Sequence, residues 1–186
     1  KKVETKMHFG KWHDIEVEDD VTTYVEYQNG ATGTFITSTG DAPGSNRFEI
    51  TLDKAKLVVE GDKLQMWELE KPEPEFSATN KVPFAQPKCT YREVETDGKN
   101  EQHVGVLNAF AAAILRGEPL VASGEEGING LTLSNAMHLS AWTGKEVELP
   151  FDDELFYEEL MKRVKTSRRK EDIAAVTADL SGTYNA

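Results

Sequence analysis

An Asn29-Gly30 pair set between two stretches of alternating residues constrains this chain more than anything else in it. Val21, Thr23, Val25 and Tyr27 alternate with Thr22, Tyr24 and Glu26, and residues 31–39 alternate again. Period-two alternation rich in β-branched and aromatic side chains marks a strand. Asn-Gly between two such runs is the strongest short hairpin signal, because both central residues must reach positive φ. A third run, 47–52, sets Phe48, Ile50 and Leu52 on one face, and runs over 56–60 and 63–69 flank Gly61-Asp62 as a second hairpin. Residues 2–9 and 88–95 are weaker strand candidates. The count is about seven strands, mostly antiparallel where the turns are short.

Helical spacing takes over in the second half. Residues 102–116 repeat Val104, Leu107, Phe110, Ala111 and Ile114 as an apolar stripe, and Gly117 with Pro119 is a stop. Ser123 and Glu126 spell a capping box for a second helix running to about Trp142 and ending at Gly144. Residues 147–150 suggest one more short strand, and Asp152 caps a last helix to about Thr166. Between strands and helices, residues 70–87 hold Pro72, Pro74, Pro83 and Pro87, which cannot donate to a ladder, so the segment reads as a loop. Residues 167–186 read as an irregular tail.

Strands first and helices later imply an α+β fold: an open, largely antiparallel sheet of about seven strands with helices packed on one face. With 38 % apolar residues over 186 positions, the chain can fill one core and is read as a single domain over 1–186. Val25 and Phe35 on one face and Tyr24 and Ile36 on the other leave a second apolar face, available for a partner subunit or domain.

Charge narrows the partners. Lys and Arg total 21 against 33 Asp and Glu, a formal charge of −12. That balance argues against nucleic acid, which needs a basic footprint, and against an anionic membrane surface. No stretch approaches the ~18 consecutive apolar residues of a membrane span. One cysteine, Cys89, excludes an internal disulfide and fits a reducing, cytoplasmic compartment. The opening Lys1-Lys2-Val3-Glu4 has no initiator Met and reads as a piece of something longer.

Several familiar chemistries are missing from the sequence. No Gly-x-Gly-x-x-Gly and no Walker-type loop occurs, and Gly40-Asp41-Ala42-Pro43-Gly44 between two strands reads as a turn. His8, His13, His103 and His138 are scattered, so no metal site is expected, and Cys89 reads as a small packing residue. Lys11-Trp12-His13-Asp14 reads as a polar connection between two strands, holding an aromatic ring, an imidazole and a carboxylate together. Such connections serve as solvated turns or as binding loops. Asn46 and Arg47, closing the glycine-rich connection, divide the same way, since an Arg at a strand start can simply pair with a neighbouring Glu.

Taken in order, four segments resemble the C-terminal domain of the Gfo/Idh/MocA oxidoreductases, the glucose–fructose oxidoreductase and inositol dehydrogenase family. They are Val17-Glu18-Asp19-Asp20-Val21 with Tyr27-Gln28-Asn29-Gly30-Ala31-Thr32-Gly33-Thr34; Gly44-Ser45-Asn46-Arg47-Phe48-Glu49-Ile50; Asn108-Ala109-Phe110-Ala111-Ala112-Ala113-Ile114 with Gly117 and Pro119; and Gly124-Glu125-Glu126-Gly127 through Asn135-Ala136-Met137-His138-Leu139-Ser140-Ala141-Trp142, then Val147-Glu148-Leu149-Pro150. The resemblance implies the second half of a two-domain enzyme. Its N-terminal Rossmann domain binds NAD or NADP, and the C-terminal α+β domain walls the substrate pocket and builds a homodimer or homotetramer through its open sheet. It also implies hydride transfer to or from a hydroxyl carbon of a sugar, polyol or related small molecule.

By the same resemblance the connections after the first and third strands approach the substrate. Lys11, Trp12, His13, Asp14 and Arg47 become candidate substrate-binding residues, acting by hydrogen bonds and stacking. His103 and His138, on helices among apolar neighbours, stay structural. The family's acid–base histidine motif and its glycine fingerprint match nothing in this chain. No catalytic, cofactor-binding or metal-binding residue is therefore assigned, and the chain alone is expected to be inactive. Glu70-Lys71-Pro72 spells the family's catalytic lysine motif, but it opens the proline-rich loop among Glu68, Glu73 and Glu75 and reads as a solvated lysine. Asp53-Lys54-Ala55 stands where the family has glycines. The competing reading is a stand-alone, non-enzymatic dimeric binding or scaffold module with the same fold. A third, an independent enzyme working through His13 and Asp14, lacks a nucleophile.

Overall fold

The computed structural model describes residues 4–8, 11–99 and 101–168. Among them, strands precede helices as the alternation requires. The strands are β1 (Glu4–His8), β2 (Lys11–Ile15), β3 (Asp20–Glu26), β4 (Thr32–Ser38), β5 (Arg47–Thr51), β6 (Ala55–Glu60), β7 (Lys63–Leu69) and β8 (Cys89–Val94). The helices are α1 (Glu73–Thr79), α2 (Gln102–Arg116), α3 (Gly127–Thr143) and α4 (Asp153–Val164). The α+β class stands. The one sheet of about seven strands does not: the strands form three sheets, β1-β2, β3-β4 and β5-β6-β7-β8. Alternation identifies a strand without saying which strand it pairs with. Here each strand pairs with a neighbour in sequence, and the ladder stops at the connections 16–19 and 39–46.

The two hairpin signals resolve into two different turns. At β6–β7, Glu60 faces Lys63, and Gly61 (φ 54°) with Asp62 (φ 61°) make a two-residue turn in which both residues are left-handed. At β3–β4 only Gly30 has a positive φ, of 84°. The Gly30 N–H donates to the Tyr27 carbonyl at 2.8 Å, and the Tyr27 N–H donates to the Ala31 carbonyl at 2.8 Å. That makes a three-residue loop, Gln28-Asn29-Gly30, so the expectation of two positive-φ residues is corrected there. Asn29 contributes its side chain instead, Oδ1 accepting from the Ala31 N–H at 3.0 Å.

The chain divides into two compact units, one of residues 1–18, 23–35 and 124–186, the other of residues 19–22 and 36–123. In the first, α3 packs on α4. Leu139 is 1 % exposed and Ala136 is buried, while Trp142 stacks on Phe156 with ring centroids 5.5 Å apart. Asp152 caps α4 as its sequence position requires, accepting from the Glu154 N–H at 3.0 Å. Gly144 ends α3 in the left-handed region, its N–H on the Ser140 carbonyl at 2.8 Å. The capping box is corrected. Gly124–Glu126 form a turn, α3 starts at Gly127, and no side chain caps it. Residues 147–150 are not a strand.

In the second unit the β5–β8 register decides the faces. Phe48 lies opposite Val59, Val59 opposite Leu64, Ile50 opposite Leu57 and Leu57 opposite Met66, so these six share one apolar face. The other face carries Arg47, Glu49, Lys56 and Glu60 beside Val58, which is fully buried. Within 70–87 a helix, α1, winds after all. Pro72 sits at its N-cap and Pro74 in its first turn, where the missing N–H would have lacked a partner anyway. α2 keeps its expected bounds and ends at left-handed Gly117. Its apolar stripe, expected to pack on the sheet, lies open instead. Val104, Leu107, Phe110 and Ile114 are 55–67 % exposed, and Ala112 is the buried residue of the helix.

Of the tail expected over 167–186, Ser167 and Arg168 are described and the rest lies outside the described residues. No helix of the described residues is long and apolar enough to cross a membrane.

Candidate functional site

Lys11, Trp12, His13 and Asp14 were expected in a connection, and the structure places all four in a strand. β2 runs antiparallel to β1 with Met7 opposite Trp12, Lys6 opposite His13 and His8 opposite Lys11. Backbone pairing is indifferent to side-chain polarity, so a polar run can be a strand when a partner strand is adjacent. The consequence for a site is direct. Successive side chains of a strand leave on opposite faces, so Trp12 and Asp14 share one face and His13 shares the other with Ile15. Trp12 is 67 % exposed, an indole held out from the strand. Asp14 is exposed beside it, and His13 is half-buried. The four residues therefore make two surfaces: an indole and a carboxylate on one, an imidazole on the other. An exposed indole next to a carboxylate suits a polyhydroxylated ligand, the ring covering C–H faces and the carboxylate accepting from hydroxyls.

Arg47 opens β5, an edge strand of the four-stranded sheet. Its Nη2 lies 2.6 Å from Glu49 Oε2 and its Nη1 2.8 Å from Glu60 Oε2. Glu49 in turn binds Lys56 Nζ. The Glu49 carboxylate, and after it Glu60, hold the Arg47 guanidinium above its ordinary value. Lys56, and after it Arg47, pull Glu49 below the usual carboxylate range. Two of the guanidinium's faces are thus already engaged with acids on the same sheet face.

A further cluster escaped the sequence reading. His138 on α3 sets Nδ1 3.8 Å from Glu18 Oε2, and its ring lies 5.4 Å from Trp142 one turn later. The Arg163 guanidinium of α4 lies 4.2 Å above the Trp142 ring and binds Glu159 Oε2 at 2.9 Å. Lys162, and after it Arg163, lower the Glu159 carboxylate. Just past α4, the Ser167 hydroxyl donates to Glu16 Oε2 at 2.6 Å, and the Arg168 backbone N–H donates to Glu16 Oε1 at 3.3 Å. Glu16 and Glu18 are separated by one residue, and both sit in the connection that leaves β2. His138, expected among apolar neighbours, thus has an acid beside it as well as the Trp142 ring.

Lys71 is exposed and pairs with Glu75 at 3.1 Å across the start of α1, as a solvated lysine does. Cys89, read as a packing residue, is instead exposed at the start of β8, opposite Leu69. Among the described residues no three His, Cys, Asp or Glu side chains gather as a metal ion would require.

The chain matches the model of the Gfo/Idh/MocA oxidoreductase family described as "Oxidoreductase family, C-terminal alpha/beta domain" over residues 1–149 of its 186. The match takes in β1 to β8 and α1 to α3, and α4 follows it. No curated protein matches the chain.

Proposed function

We propose a function from one premise: the chain belongs to the Gfo/Idh/MocA oxidoreductase family, as its C-terminal domain. In our reading it is the substrate-binding and oligomerisation domain of an NAD(P)-dependent dehydrogenase that acts on a sugar, polyol or related small hydroxy compound. The observation that carries this reading is the family match itself, which spans β1 through α3.

The nicotinamide, when bound, supplies the hydride chemistry. No Gly-x-Gly-x-x-Gly turn enters a helix in this sequence, so the cofactor's pyrophosphate is assigned to the N-terminal domain of the parent polypeptide. What this chain contributes is orientation. Trp12 covers an apolar face of the ligand, Asp14 accepts from its hydroxyls, and Lys11, His13 and Arg47 add polar contacts. Arg47 contributes least, because Glu49 and Glu60 already hold its guanidinium. Alone, the chain is inactive.

The open apolar stripe of α2 and the face bearing Phe48, Ile50 and Val59 (62 %, 37 % and 43 % exposed) support covering partners: the N-terminal domain and a second subunit of a homodimer or homotetramer. Cys89 as the lone cysteine favours a cytoplasmic setting.

The test is the native polypeptide. Its intact mass in source cells should exceed 20.7 kDa by at least a Rossmann domain. The purified protein should then change nicotinamide absorbance with at least one member of a sugar and polyol panel. A native mass equal to the chain's, with no reaction on the panel, would leave the non-enzymatic dimeric module in its place.

A further inference from the structure

The connection that leaves β2 is held from two sides. Glu16 binds the segment just past α4 through both of its oxygens, one taking the Ser167 hydroxyl and the other the Arg168 backbone N–H. Glu18 lies against His138 of α3. The two helices are joined to each other through Trp142, which stacks on Phe156 and lies under Arg163. These contacts close a ring: Glu16, the end of α4, Arg163 and Phe156, Trp142, His138, Glu18. Every member belongs to one compact unit, the one that also contains β2. Cooperative closure of this kind makes the position of a short strand a property of the helix pair rather than of its own five residues.

We propose that Glu16 and Glu18 are positioning residues that fix the exit of β2 against α3 and α4, and so set the geometry with which Trp12 and Asp14 meet the ligand. This rests on the reading of β2 as a pocket strand. A hairpin as short as β1–β2 is marginal by itself and needs packing or tethering to hold one geometry. The carboxylate chemistry is specific. An ionised carboxylate accepts at both oxygens, whereas the amide of Gln has one acceptor atom and one donor atom. Glu16→Gln therefore keeps the shape and loses one of the two bonds. Ser167→Ala removes one donor, and Ser167→Thr keeps a hydroxyl in its place.

The experiment uses the full-length enzyme with its best substrate from the panel, and reads two things for each variant: backbone hydrogen exchange of residues 11–15, and kcat and KM separately. Glu16→Gln and Ser167→Ala should speed exchange in β2 by about tenfold, since local opening governs it. They should raise KM several-fold with kcat within about twofold, the sign of weakened binding in ground and transition state alike. Ser167→Thr should restore both. Glu18→Gln should act in the same direction, less strongly at a 3.8 Å separation. Unchanged exchange in β2 for Glu16→Gln and Ser167→Ala overturns the proposal. So does faster exchange with unchanged KM, provided that Trp12→Ala raises KM. If Trp12→Ala also leaves KM alone, the pocket reading of β2 has failed, and the exchange data still decide whether the carboxylates hold the strand.

Discussion

β2 and β5 are both five-residue strands opening on a basic residue, and both carry candidate binding residues, yet they hold them in opposite ways. β5 belongs to a four-stranded ladder, and its Arg47 is tied to Glu49 and Glu60 within the same sheet. β2 has one partner strand, and its support reaches out to the helices through Glu16 and Glu18. Trp12 extends into solvent with its indole uncovered. A guanidinium already neutralised by two carboxylates has little left for a ligand. An exposed indole on a strand tethered from a distance costs the molecule apolar exposure and repays it only when something covers the ring. If β2 is the binding strand, as proposed above, the ion pairs of β5 serve its own sheet.

Substitutions separate the two strands, and the largest effect is expected on the helix pair that supports β2. Leu139→Ala should cost about 2–4 kcal/mol of stability in chemical denaturation, because Leu139 is essentially sealed between α3 and its neighbours. Next comes the contrast itself. Trp12→Ala in the full-length enzyme should lower kcat/KM by about tenfold, equivalent to ~1.4 kcal/mol, while Arg47→Ala should leave it within about threefold. The reverse ranking would move the binding surface to β5. A smaller effect is expected at the β3–β4 loop, where Gly30→Ala should cost about 1 kcal/mol because φ of 84° is strained for any side chain.

The smallest effect is a pH dependence at β5. Glu49 is held below the usual carboxylate range, so in the folded state it binds its proton less readily than in the unfolded chain. Its contribution is complete above the ordinary glutamate value and is lost as pH falls through the lowered one. Glu49→Gln should flatten the decline of the unfolding midpoint between about pH 5 and pH 3, a shallow effect since these side chains face solvent. A steeper decline in the variant would show that the network on β5 is not stabilising.

What could be read from the sequence was local. Asp152 two residues before Glu154, Gly117 and Gly144 at the ends of their helices, and Gly61-Asp62 in its turn each act within a few positions, and each stands where its chemistry required. The sheet arrangement is not local, because alternation is the same for a strand that joins a large ladder and for one that makes a hairpin. In sequence β2 looks like a connection because its side chains are polar, while its ladder is made by backbone. The ring around Trp142 was beyond reach for the plainest reason: Ser167 and Glu16 lie 151 positions apart, and neither belongs to a motif.

Cys89 has a practical use that its chemistry alone would not suggest. It is the one thiol in these 186 residues and it is exposed, so a nitroxide attached there marks every copy once, at a known end of β8. Electron–electron dipolar spectroscopy on the labelled chain then becomes a ruler between copies. A twofold pair returns one distance, whereas a dimer of dimers returns more than one, so a homodimer and a homotetramer can be told apart without a crystal.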